Sequence, residues 1–243
     1  MMAIVLLVAS VAQSMPSVPA DRVQRYETGL SFRSHESNKD QRTSLDLSSG
    51  GEFPLDDYLL LEFDARIRSQ SERYGYLFKI EAGGRNIDLL LNNHPYTTLS
   101  LQLHYNRQLA QQSIHGQDGA DFFLWNRYRL EFICSDSALV ILYNGAEVVR
   151  DRPLERGKKQ TVRIVFGADY APGRVTYDVA PFELRMVSLC SRKKHSYVWP
   201  LDVHYTNQNV YDTLRRRAAR VLNPDWLIDR HTQWKHTRTM DFP

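Results

Sequence analysis

YLLLEFDARI, residues 58–67, places Leu59, Leu61, Phe63, Ala65 and Ile67 on one side of an extended chain and Leu60, Glu62, Asp64 and Arg66 on the other. A period of two is the mark of a strand with one buried face. The same texture continues outward in both directions. RTSLDLS (42–48) precedes it, and YGYLFKIE (74–81), NIDLLLN (86–92) and TTLSLQLH (97–104) follow, separated by Gly, Asn, His or Pro. Further on come LWNRYRLEFIC (124–134), ALVILYN (138–144), AEVVRD (146–151), QTVRIVFG (160–167) and PFELRMVSLC (181–190). Asn144-Gly145 between two apolar runs is a hairpin signal, because both positions of the favoured turn need a positive φ. About ten short strands with turn residues between them, and no convincing helical period before residue 205, predict an all-β antiparallel sandwich. Their number exceeds a minimal immunoglobulin domain and suits a two-sheet jelly roll.

The chain has 243 residues, enough for one large β-domain or two small ones. A net charge of +3 is too small to imply a nucleic-acid partner. The charge is uneven: residues 150–243 hold 18 Lys/Arg against 10 Asp/Glu, with clusters at Arg192-Lys193-Lys194 and Arg215-Arg216-Arg217 that read as solvated surface. At the start, MMAIVLLVASVAQSMPS (1–17) joins a short apolar run to Ala12-Gln13-Ser14, a small-x-small pattern. The reading is a signal peptide over residues 1–14 and a secreted, periplasmic or cell-surface protein; a buried N-terminal strand is the alternative. The run is far below the roughly 20 residues that span a bilayer, and the chain offers no other transmembrane candidate. Residues 15–41 then form a linker and lead-in, 42–195 the sandwich and 196–243 a C-terminal extension. Within the extension, Val210, Leu214, Ala218 and Val221 fall near helical spacing, with Asn223-Pro224 as a stop; an extended connector fits the same residues.

Glu62 and Asp64, two places apart on a strand, share a face. Retaining glycoside hydrolysis needs two carboxyl groups about 5 Å apart. The jelly-roll glucanases, which this stretch partly resembles, carry Glu-x-Asp-x-Glu or the same with one more residue before the last Glu. Here that third position is Arg66 or Ile67. The acid/base is missing, and the pair reads as a polar row facing solvent, or as part of a ligand-binding face. An acid/base on another strand, Glu131 or Glu183, is what a hydrolase would need. For sugar binding, aromatic faces and planar hydrogen-bonding groups are the expected tools. LNNHPYTT (91–98) offers Asn92, Asn93, His94 and Tyr96 in one predicted loop, whereas Trp125 reads as core.

Metal candidates are sparse. Asp56-Asp57 and Asp118-Gly119-x-Asp121 fit ordinary turns better than calcium loops, and His204 and Asp229-x-His231 stand apart from them. Cys134 and Cys190 fall at the ends of predicted strands; in an exported chain they could pair, and two buried free thiols fit equally. The chain has no Gly-x-Ser-x-Gly and no phosphate-binding glycine loop; Gly83-Gly84 reads as a hairpin turn.

RYGYLFKIEAGGRNIDLLLNN (73–93), with Asn86 and Asp88 on its second strand, lies between FDARI and WNRYRLEFICSDSALVILYNG. Over about residues 40–190 this resembles the concanavalin A-like lectin/glucanase superfamily, in particular the laminin-G-like and pentraxin-like jelly rolls of secreted bacterial proteins. The resemblance implies the fold, and calcium as a possible ion held by loop carboxylates. Asn223-Pro224-Asp225-Trp226-Leu227 is similar to a segment that leads toward a kelch-like propeller, which implies the N-terminal part of a larger kelch-containing protein. The expected function is a non-catalytic extracytoplasmic module binding carbohydrate or a protein partner. A glycoside hydrolase or lyase of the same fold is the alternative, and a structural or interaction domain of a surface or sensor protein the second.

Overall fold

A computed structural model of the chain describes residues 28–68, 74–92, 98–105, 108–114, 122–154, 160–191, 196–202 and 207–227. In chain order the strands are β1 (Leu30–Ser31), β2 (Ser44–Asp46), β3 (Phe53–Pro54), β4 (Tyr58–Ile67), β5 (Gly75–Ala82), β6 (Arg85–Asn92), β7 (Thr98–Tyr105), β8 (Gln108–Ile114), β9 (Asn126–Cys134), β10 (Leu139–Tyr143), β11 (Ala146–Asp151), β12 (Thr161–Gly167), β13 (Phe182–Ser191), β14 (Ser196–Trp199), β15 (Asn209–Tyr211), β16 (Ala218–Leu222) and β17 (Asp225–Trp226). The first sheet runs β11-β10-β9-β4-β13-β1-β17, with β14 also on β13. The second runs β15-β16-β2-β12-β5-β6-β7-β8, with β3 on β12. Every pairing between these strands is antiparallel, as the sandwich reading expects.

The alternation of 58–67 is what makes the two layers. Its apolar half is buried against the second sheet, and Phe63 sits where the layers meet. The Phe63 ring stacks on Tyr128 of its own sheet at 5.1 Å and meets Phe166 and Phe78 of the other edge-on at 5.2 and 5.9 Å. Such offset and edge contacts suit the ring quadrupoles and exclude water from the centre. The Asn144-Gly145 turn has φ of 48° and 84°, as a two-residue hairpin loop between twisted strands requires. Arg85, only 2% exposed, clips one end of the sandwich. From β6 it donates to Asp151 of β11 at 2.7 Å and to the carbonyls of Arg152, Pro153 and Gly83.

The helical reading of 210–221 is overturned. Val210 and Val221 are buried in β15 and β16, which pair as a hairpin, while Leu214 is 65% exposed. Asp212 is the physical cause. Its Oδ1 accepts from the Arg217 amide at 2.7 Å and its Oδ2 from the Leu214 amide at 3.4 Å, so the side chain takes the N–H groups that a helix would use. Strand β16 then extends the second sheet through β2, and β17 extends the first through β1. The segment after residue 195 therefore adds strands to both layers, and the lead-in supplies β1, which lies between β13 and β17 in the first sheet.

Candidate functional site

Glu62 and Asp64 do lie side by side on the outer face of the first sheet, each about 20% exposed. Register places Arg129 and Arg127 of β9 opposite them on one flank and Arg185 of β13 beside Asp64 on the other. Glu62 pairs with Arg127 at 3.1 Å and Arg129 at 3.9 Å; Asp64 pairs with Arg185 at 3.5 Å and Arg127 at 3.8 Å. Glu131 bonds Arg129 at 3.0 Å and accepts the Tyr58 hydroxyl at 2.9 Å. The Arg129 hydrogen bond holds the Glu131 carboxyl below its ordinary range, so at neutral pH it carries no proton to donate. Glu183 is buried and bonded to Arg66, the residue standing where a third acid would. Three carboxylates and three guanidiniums thus form one interlocked lattice, with the Arg66–Glu183 pair beside it.

Trp125 belongs to that lattice and not to the core. It is partly exposed, with the Arg185 guanidinium 4.1 Å and that of Arg66 4.9 Å from its ring. The run of alternation that suggested burial begins one residue later, at Asn126. Both cysteines are free thiols. Their strands β9 and β13 flank β4, and the register sets Cys134 level with Asp57 and Cys190 level with Leu60, so the two are more than about 9.5 Å apart. A disulfide needs Cα atoms within about 7 Å, so the pairing suggested for an exported chain is not formed. Burial pushes the Cys134 thiol up to about 11.

Asn92 ends β6 and donates to Ser100 Oγ at 2.9 Å. Asn93, His94 and Tyr96 lie outside the described residues, as do Asp118, Asp121, His204, Asp229, His231, residues 1–27 and Arg192 to Lys194. Among the described residues no group of three His, Cys, Asp or Glu side chains is placed to hold a metal ion. Asp57 uses its carbonyl to accept the Cys134 amide at 2.9 Å.

The outer face of the second sheet has a different character, and single-residue reasoning missed it. Two rungs cross it. Lys79, Asp88, Gln102 and Gln111 stand opposite one another on β5 to β8, and Arg163, Glu81, Asn86 and His104 on β12 and β5 to β7. Gln102 donates to Gln111 at 3.3 Å, and His104 Nε2 lies 3.3 Å from Gln102 Oε1. Lys79 sits over the Tyr76 ring at 4.4 Å and donates to Thr176 at 2.8 Å. Asp88 is 4% exposed; its Oδ2 is 3.7 Å from His104 Nε2, and its Oδ1 is buried with no hydrogen-bond partner. Burial pushes its carboxyl up, against the pull of Lys79 and His104. Arg163 is the fixed point of the neighbouring rung, with two bonds to Asp169 at 2.6 and 2.8 Å and approaches to Asp46 at 3.5 Å and Glu81 at 3.8 Å.

Two depressions open on this face. One of about 610 Å³ lies at the Gly83–Gly84 turn, lined by Glu52, Glu81, Asn86, Gln160, Thr161 and Arg174 among others. The other, of about 220 Å³, lies between Asp46, Arg163, Asp169, Tyr170 and Arg220. The signal was present in the sequence as the polar halves of NIDLLLN and TTLSLQLH, which the strand register turns into one surface.

No family model matches the sequence, and no curated protein matches it by sequence. Solved structures do share its fold. A putative carbohydrate binding protein from Bacteroides ovatus superposes with a TM-score of 0.50 at 10% identity, over 82% of this chain and 59% of that one, so the chain spans less than two thirds of that protein. The SAP-like pentraxin of Limulus polyphemus gives 0.44 at 15% identity, over 68% and 76%. The endo-beta-1,3-glucanase of Pyrococcus furiosus gives 0.40 at 12%, over 66% and 71%. Identities this low speak to fold alone: the chain shares the two-sheet antiparallel sandwich of the Bacteroides ovatus protein. Among the described residues no helix is long and apolar enough to cross a membrane.

Proposed function

We propose that the protein is a non-catalytic, extracytoplasmic carbohydrate-binding module whose ligand lies on the outer face of the second sheet. The observation that carries this is the pair of polar rungs leading to the larger depression: amides, carboxylates, an imidazole and hydroxyls on rigid strands, with an aromatic ring beside them. Sugar hydroxyls both donate and accept, so planar amides and acids held in register are suited to them. The putative carbohydrate binding protein from Bacteroides ovatus has the same fold and supports the reading. The arginine partners of Glu62, Asp64 and Glu131 argue against a hydrolase built on the first sheet.

Affinity electrophoresis of the full chain through gels holding single polysaccharides tests this. At least one polysaccharide should retard the chain, Gln102→Ala should weaken that retention about tenfold, and no reducing ends should appear on incubation. Retention by none of a broad panel, or release of reducing ends, contradicts it.

A further inference from the structure

We infer that the depression at the Gly83–Gly84 turn is a subsite for an uncharged saccharide unit, kept open by the missing side chain of Gly84. This rests on the saccharide-binding reading of the second sheet and names the ligand class that the face would take. The volume of about 610 Å³ falls inside the range of roughly 300–1,000 Å³ common to small-molecule sites.

Charge selects the ligand. Arg85 lines the depression, but its donors are directed to Asp151 and to the carbonyls of Gly83, Arg152 and Pro153. Glu81 holds Arg174 at 3.1 Å and faces Arg163 at 3.8 Å, so these cations already have an anion. Glu52 is an exposed carboxylate that accepts the Thr161 hydroxyl and has no ion pair among the described residues. A uronate or sulfate entering here meets a carboxylate and no unclaimed guanidinium; a hydroxyl meets acceptors. Asn86 is exposed, with no side-chain hydrogen bond among the described residues, and its amide is open to the ligand.

The two glycines differ. A Cβ on Gly83 would lie 2.7 Å from Leu154 Cδ2 and 2.8 Å from Gln160 Oε1, so its absence is a packing requirement. A Cβ on Gly84 would meet nothing within 4 Å, although Gly84 borders the depression. Its φ of 75° is one that Asn tolerates better than other side-chain-bearing residues. Gly84→Asn therefore adds bulk to the subsite at small conformational cost. Gly145 supplies a matched control: its φ is 84°, a Cβ there also meets nothing within 4 Å, and it lies in the β10–β11 turn of the other sheet.

The test runs the wild-type chain, Gly84→Asn, Gly145→Asn, Asn86→Ala and Gln102→Ala through gels of β-1,3-glucan, xylan, galactan, polygalacturonate and chitosan. The expected result is retention by an uncharged polymer, none by polygalacturonate, and none by chitosan beyond what an inert control basic matrix gives. Gly84→Asn should weaken retention about tenfold and Asn86→Ala about threefold, while Gly145→Asn stays within about twofold of wild type. Should Gly84→Asn not fold, the Asn86→Ala result decides. Full retention in both Gly84→Asn and Asn86→Ala while Gln102→Ala loses it overturns the subsite and leaves the face intact. Preference for polygalacturonate or chitosan overturns the ligand class. No retention of the wild-type chain by any polymer overturns the underlying reading as well.

Discussion

The two outer faces of the sandwich arise from the same alternation and end in opposite states. On the first sheet, Glu62, Asp64, Glu131 and Glu183 each meet an arginine, and the arginines Arg66 and Arg185 also cover Trp125. On that surface each carboxylate is matched to a guanidinium, and the buried Trp125 Nε1 is left without a hydrogen-bond partner among the described residues. On the second, Asp88 keeps a buried oxygen without a partner, Asn86 is exposed, and depressions open beside Asn86 and beside Arg163. A polar strand face becomes a candidate site when cross-strand register leaves donors and acceptors unmatched; the presence of acids alone does not make one.

Substitutions that act on one face at a time sharpen this contrast. The largest effect is expected at Arg163→Met. It removes the bidentate partner of the buried Asp169 and the neighbour of Asp46, and breaking a buried ion pair by deleting one member costs about 3–5 kcal/mol. Urea unfolding at pH 7 should show that loss; a change below about 1 kcal/mol would mean that this cluster behaves like exposed surface.

Asp88→Asn should do the opposite to stability and harm function. Burial raises the Asp88 carboxyl in the folded chain, so ionising it costs the folded state. Stability therefore falls as pH rises from the unfolded carboxyl value through the raised folded one. The Asn variant should be more stable at pH 7, with the gain gone below the ordinary Asp value of about 4, while retention by the polysaccharide falls. A gain with unchanged retention would make Asp88 a structural residue only.

The smallest effect is expected on the first face. Glu62→Gln with Asp64→Asn breaks partly exposed pairs, which are worth about 0–1 kcal/mol each, and should leave retention within about twofold of wild type. Loss of retention in that double variant would move the site to the other sheet.

Much of the fold was legible from YLLLEFDARI, because strict alternation with Phe63 at its centre fits one buried sheet face. Asn144-Gly145 gave its hairpin for the reason that positive φ restricts residue choice. The C-terminal hairpin was not legible: four apolar residues at helical spacing mimic a helix until Asp212 takes the turn amides. For the site, that Glu62 and Asp64 share a face followed from their spacing. Their partners Arg127, Arg129 and Arg185 come from β9 and β13, and which residues face each other across strands is written in the register, not in any one segment. The same holds for Asp88 and Gln102, whose opposition turns two ordinary polar positions into one rung.

Which face touches the ligand is measured directly by a paired calorimetric titration of Gln102→Ala and Arg127→Ala with the retarding polysaccharide in soluble form. Affinity should drop about tenfold in Gln102→Ala and stay within about twofold of wild type in Arg127→Ala. The reverse pattern, binding lost with Arg127 and kept without the Gln102 amide, would contradict a ligand on the second sheet.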